Sequence, residues 1–232
     1  MQKRWKRGRR DDRRRDEEAR PWYPRTKLGK QVQKGEITSL AEVLTRGEVI
    51  LEPEIVDALV PELKEEIIQI GGSPGKGGGV RRTPTKRTAR MHKSGRRYKM
   101  SAMVVVGDGK GLLGLGKAAS RENRTAISKA TLQAKLNMMM IRKGCGSWEC
   151  ACGGAHSIPF KATASCGSVS VSLIPGPKGL GVVANETCRR VLGLAGIQDV
   201  WVQTFGQTST RANLITALFG ALSRLNHTKG GL

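Results

Sequence analysis

The apolar positions of this chain fall into groups, and each group has its own period. Val169, Val171 and Leu173 alternate with Ser168, Ser170 and Ser172, which predicts a strand with one buried and one polar face. IPGPKGLG then turns the chain, Asn185 to Leu194 reads as a helix, and DVWVQTF reads as another strand with Trp201 expected in the core. Leu214, Leu218, Leu222 and Leu225 form the buried stripe of a last helix, which Thr208 or Ser209 can cap.

The earlier half has a different rhythm. Ile55, Leu59 and Leu63 recur every four residues, so Glu54 to Glu65 is expected to be an amphipathic helix, interrupted or shortened at Pro61. Six of the ten residues in 71–80 are Gly, which predicts a flexible loop rather than a strand. Residues 85–118 alternate and then turn apolar at Met103 to Val106, with GDGKG as a hairpin turn, so two or three antiparallel strands are expected. Ser120 is the expected N-cap of a helix through Asn137, with Ile127, Ala130, Ala134 and Met138 on one face.

These elements describe an α+β chain with two folded units, residues 51–140 and 157–225, joined by a Cys-rich linker over 141–156. Residues 1–50 are a basic extension followed by an acidic lead-in, expected to be largely irregular, and 226–232 form a short tail.

Charge narrows the function. Lys and Arg number 41 against 19 Asp and Glu, a formal charge of +22, which points to a polyanionic partner and away from an acidic or neutral metabolic enzyme. Residues 71–100 hold 10 basic and no acidic side chains, so this window lacks the internal partners of an ordinary solvated face and is expected to meet RNA. Tyr98 is its one aromatic, so binding should run through backbone phosphates and shape rather than base stacking. No stretch approaches the roughly 18 apolar residues of a membrane span. The Arg-rich start leads into DD and DEE, so neither secretion nor membrane insertion is expected, and the cytoplasm is the expected compartment.

Three constellations carry chemistry. Lys93, Ser94, Gly95, Arg96 and Arg97 fall where a strand-to-strand loop should be, and Lys and Arg beside a glycine can approach phosphates closely. Cys145, Cys150, Cys152 and His156 offer four ligands within twelve residues. The single residue between Cys150 and Cys152 departs from the usual knuckle, so a Zn²⁺ clip and reduced structural thiols both remain open. Pro175 to Gly181, with Lys178, could cradle a phosphate ahead of a helix. Cys166 and Cys188 read as small buried hydrophobes, and His92 and His227 as surface residues. Trp148 is expected either against the cysteine cluster or against a neighbouring protein.

Two family resemblances bear on these motifs. PGPKGLGVVA resembles the phosphate loop of small-molecule kinases of the galactokinase and homoserine kinase type, but Val182 and Val183 stand where that family has serines, and acids are few after residue 100. MVVVGDGKGLLGLGKA and CGSVSVSLIPGPKGLGVVANETCRRVLGLAGIQDVW together resemble the ribosomal small-subunit protein S-five family over about residues 52–225, with LAGIQDVW the most diagnostic string. GCGSWECACGGAHSIPFK is similar to the linker of its archaeal branch.

The second resemblance implies a double-stranded-RNA-binding-like first domain, a β-α-β-α second domain and no catalysis. It implies a structural rRNA-binding role near the decoding region, with an S-four-type protein as neighbour and the mRNA entry path alongside. Lys93, Ser94, Gly95, Arg96 and Arg97 match the hairpin loop that the family inserts into rRNA. Arg81, Arg82, Lys86, Arg87 and Arg90 are expected to widen the footprint, and Lys178 to add a contact from the second domain. The basic N-terminal tail is expected to order only on rRNA.

Overall fold

The computed structural model describes residues 22–75 and 77–226. The N-terminal tail as far as residue 21, Lys76, and His227 with the rest of the C-terminal tail lie outside them.

One long strand organises the first sheet. β5 (Gly95–Gly107) pairs antiparallel along one edge with β4 (Thr85–His92) and then with β1 (Lys64–Ile67), and along the other with β6 (Leu112–Ser120), which pairs in turn with β7 (Met138–Met140). The GDGKG turn closes because the Asp108 carboxylate accepts the backbone N–H groups of Lys110, Gly111 and Leu112 at 2.7, 3.0 and 3.0 Å.

Helix α4 (Asn123–Leu136) lies against this sheet through Ala126, Ala130 and Ala134, all fully buried. The small residues allow close approach: a Cβ on Gly116 would come within 2.0 Å of the Ala130 carbonyl oxygen. Ser120 does not cap α4. It remains in β6, Glu122 takes the N-cap position, and the Ser120 hydroxyl accepts from Thr125 instead. The expected stripe is also shorter, since Met138 already belongs to β7.

Three short helices precede the sheet: α1 (Lys27–Lys34), α2 (Leu40–Thr45) and α3 (Pro53–Leu59). The expectation of a largely irregular lead-in therefore fails from residue 27 onward. Leu28, Ile37, Leu40, Val43, Ile50, Ile55 and Val56 share one core with Val104, Val106 and the alanines of α4, and that tertiary burial orders segments too short to be helical alone.

The helix expected over 54–65 is half that length. Pro61 cannot supply a helical N–H and disfavours a helical Val60, so α3 stops at Leu59 and residues 64–67 become strand β1. Residues 71–80 are also more regular than expected. β2 (Gly71–Pro74) and β3 (Val80–Thr83) form a hairpin closed by a bond from the Gly75 N–H to the Gly79 carbonyl.

The second sheet has the order β10-β11-β9-β8, from β8 (Ala162–Cys166), β9 (Val169–Pro175), β10 (Val182–Val183) and β11 (Val200–Phe205). β10 runs parallel to β11, and the other pairs are antiparallel. α5 (Glu186–Ala195) and α6 (Arg211–Arg224) complete the unit. Val169, Val171 and Leu173 are fully buried, as are Leu214, Leu218, Leu222 and Leu225. The cap of α6 falls at Thr210, one or two residues later than expected.

Trp201 is not a core residue. Val200 turns inward with no exposure, so strand alternation puts Trp201 on the outer face, 45% exposed.

The two units share β5. Ala102, Val104 and Val106 face the first core, while Met103 and Val105 face a second core continuous with Val171, Leu192 and Leu218. Burial on both faces explains the uninterrupted apolar run that begins at Met103. Arg190 of α5 ties the units further by pairing with Glu66 of β1 at 3.1 Å.

Candidate nucleic-acid interface and thiol cluster

The basic window becomes the β4–β5 hairpin, with His92 paired to Gly95 and only Lys93 and Ser94 between them. Gly95 has φ +106, a conformation that costs glycine little and lets the strand resume after the turn. The Arg97 guanidinium donates to the Ser94 hydroxyl at 2.9 Å and braces the tip.

Cross-strand pairing sorts the cations onto two faces. Arg87, Arg96 and Tyr98 share one, where the guanidinium carbons of Arg87 and Arg96 lie 4.6 and 5.5 Å from the Tyr98 ring centroid. Lys86, Arg90, Arg97 and Lys99 occupy the other. There Arg90, His92, Arg97, Lys99 and Arg121 line a concavity of about 700 Å³.

Arg81, Arg82, Lys86, Arg87, Arg90, Lys93, Ser94, Gly95, Arg96 and Arg97 are all exposed. None of the cations among them forms an ion pair within the described residues. Arg81 and Arg82 lie in β3, on the smaller adjoining hairpin. His92 is at the surface, as expected. Lys99 and Arg121 escaped selection from sequence, although Lys99 lay inside the acid-free window. Arg121 lies beyond it, and only the β5–β6 register, which pairs Met100 with Ser120, brings it alongside Lys99.

The linker cysteines also converge. Ligand atoms of Cys145, Cys150, Cys152 and His156 all lie within 4.8 Å of one another, and all five cysteines of the chain are free thiols. Two linker stretches create this cluster: Gly144 exchanges backbone bonds with Ser157, and the Gly146 N–H donates to Ile158.

Hydrogen bonds from the Cys152 side chain and from the Lys178 and Cys152 backbones pull the Cys150 thiol down to about 6. Desolvation, reinforced by the Cys152 side chain, pushes Cys145 up to about 11. Cys188 is fully buried and Cys166 half-buried. Trp148 does not pack on the cluster: at 93% exposed it borders a shallow surface shared with Trp201.

The Gly loop at 175–181 is occupied by the protein itself. Gly179 and Gly181 donate their N–H groups to the Asp199 carboxylate at 3.1 and 2.8 Å, so the donors a phosphate would need are already engaged. This leaves the phosphoryl-transfer reading without its central feature. Lys178 is exposed on this loop between β9 and β10, where its backbone lies beside the thiol cluster rather than the hairpin. Asp199 was visible in the sequence only as one of a few acids, and nothing local linked it to residues 156, 179 and 181.

Comparison with known proteins accounts for both halves. Residues 84–142 match the model for "Ribosomal protein S5, N-terminal domain", and residues 164–229 match that for "Ribosomal protein S5, C-terminal domain". The chain is 46% identical over 208 residues to a protein of Methanocaldococcus jannaschii named "Small ribosomal subunit protein uS5", covering 90% of this chain and 89% of that one. Proteins of the same name from Methanococcus maripaludis and Methanospirillum hungatei are each 45% identical, over 90% of this chain and 86% and 95% of theirs. With two successive domain models and near-complete relatives in agreement, the chain belongs to the ribosomal protein S5 family.

Proposed function

We propose that this chain is a structural component of the small ribosomal subunit, held by rRNA phosphates near the decoding region and without a catalytic step of its own. The observation that carries the reading is the β4–β5 hairpin, whose exposed cations find no carboxylate among the described residues. Lys93, Arg96 and Arg97 grip phosphates at the tip, with Ser94 bracing Arg97 and Gly95 allowing close approach. Arg81, Arg82, Lys86, Arg87 and Arg90 extend the footprint, and Lys178 adds a contact from the second domain.

The double-stranded-RNA-binding-like reading of the first domain draws support from three antiparallel strands followed by the packed helix α4. The second domain contacts an S-four-type neighbour and helps to line the mRNA entry path. The exposed surface between Trp148 and Trp201 supports a protein contact there.

The test is a filter-binding titration against small-subunit rRNA. Ten or so neutralised phosphates should lower affinity roughly 10³- to 10⁵-fold between about 50 and 200 mM salt. Arg96→Glu with Arg97→Glu should flatten that slope and keep the chain out of sedimenting small subunits. Salt-independent binding, or normal incorporation of the double variant with unchanged decoding accuracy, would refute the assignment.

A further inference from the structure

We propose that Cys145, Cys150, Cys152 and His156 bind one Zn²⁺ ion, and that the ion fastens the linker to the 176–181 loop of the second domain. The donor set is right for zinc: three thiols and one imidazole, with no carboxylate among them. A tetrahedral site with Zn–S near 2.3 Å and Zn–N near 2.0 Å has edges of about 3.5–3.8 Å. Cys150 Sγ and Cys152 Sγ lie 3.8 and 3.1 Å from His156 Nε2, and every pair falls within 4.8 Å, so small side-chain adjustments close the tetrahedron.

Two further features belong to a built site. His156 Nδ1 lies 2.7 Å from Asp199 Oδ2, with His156 only 9% and Asp199 4% exposed. A buried carboxylate there holds the ring proton on Nδ1 and leaves the Nε2 lone pair facing the thiols. Backbone N–H groups also point at sulfur: Ser147 toward Cys145, and Cys152 and Lys178 toward Cys150. Such donors offset the negative charge that three thiolates and a neutral imidazole leave around a divalent ion.

The same contacts define what the ion would hold. Lys178, whose backbone bonds Cys150, directly precedes Gly179, the first of the two glycines that bond Asp199, and at the start of the loop the Gly176 N–H donates to the Ser157 hydroxyl. Linker and loop therefore meet through the cluster and its supporting hydrogen bonds. Binding displaces to solvent the protons that the three cysteines still carry and involves no change of oxidation state.

Full-length protein from zinc-replete cells should carry one zinc per chain by elemental mass spectrometry. Cobalt exchanged into the site should show the visible bands of a tetrahedral, thiolate-rich complex. Replacing Cys150 and Cys152 with Ser should drop zinc below a tenth per chain. Because that variant can fail to fold, chelation of the wild type is the companion measurement: metal removal should raise amide exchange at residues 176–181 while leaving exchange in β5 unchanged. Less than a tenth of a zinc in the wild type, or retention in the double variant, would overturn the site, and unaltered loop exchange after chelation would overturn the fastening role. None of these readouts depends on RNA, so failure here is distinct from failure of the ribosomal reading.

Discussion

Asp199 and His156 stand 43 residues apart in sequence and 2.7 Å apart in space, and the second carboxylate oxygen of Asp199 holds Gly179 and Gly181. One buried side chain thus sets both the orientation of an imidazole and the shape of a loop. Asp199→Asn retains an oxygen for the glycines but turns an NH₂ toward His156. The ring must then accept at Nδ1 and carry its proton on Nε2. Zinc affinity, read by chelator competition, should fall about 10- to 100-fold. Asp199→Ala also leaves two N–H groups without their acceptor, and should cost roughly 2–5 kcal/mol in denaturant unfolding. Wild-type affinity in the Asn variant would show that this pair does not set the tautomer.

Tyr98 lies under two guanidinium groups, those of Arg87 and Arg96. The ring limits the freedom of both side chains before any ligand arrives. Exposed cation–π contacts are worth about 0.5–1 kcal/mol each and the ring makes two, so Tyr98→Ala should weaken rRNA affinity roughly 5- to 30-fold with an unchanged salt slope, and Tyr98→Phe should restore most of it. A flattened slope in the alanine variant would mean that the ring acts through phosphate contacts rather than by ordering the arginines.

What the chain discloses locally follows from how local the forces are. The 169–173 alternation and the leucine stripe of α6 were legible because each face meets a single environment. Residues 71–83 were not, since β2 and β3 consist largely of glycine, serine and exposed arginine, and their pairing leaves no apolar period. Trp201 was misplaced by its residue type, although counting outward from Val200 would have put it on the open face. Ser120 looked like a cap because hydroxyl residues favour that position, but the β5–β6 ladder holds it in a strand. The four metal-ligating candidates were legible as residues, while Asp199, Lys99 and Arg121 needed the register and the long-range fold.

Gly116 is a point of close approach between β6 and α4. An added methyl carbon would sit 2.0 Å from the Ala130 carbonyl oxygen and 2.4 Å from the Ala134 nitrogen, both backbone atoms with no rotamer to yield. Gly116→Ala should therefore force the helix off the sheet and cost about 3 kcal/mol, at the upper end of overpacking. Thermal unfolding of the purified variant checks this. Gly193→Ala, where nothing lies within 4 Å inside α5, is the control and should be neutral or slightly stabilising. Equal melting temperatures for Gly116→Ala and wild type would mean that α4 can slide without loss.

Glu52, at the N-cap of α3, fastens the segment that leads into α1. Its carboxylate accepts the backbone N–H groups of Arg25 and Thr26 at 2.8 and 2.7 Å and the Trp22 indole N–H at 3.0 Å. Desolvation works to raise its pKa, but the Arg25 and Thr26 backbone bonds, then the Trp22 and Thr26 side chains, outweigh it, so the group titrates below the ordinary carboxylate range. A folded pKa below the unfolded one means that the unfolded chain binds the proton more tightly. The stabilisation is thus complete above the unfolded pKa of about 4.3 and disappears as pH falls through the lower folded value. Glu52→Gln, which keeps an acceptor oxygen but no charge, should lower stability at neutral pH and remove this part of the acid dependence, so that the two proteins converge in strongly acidic buffer. Fluorescence during acid titration of a variant that keeps Trp22 and carries Trp5→Phe, Trp148→Phe and Trp201→Phe reports the release. An acid transition in the Gln variant identical to that of the wild type would assign the dependence to another carboxylate.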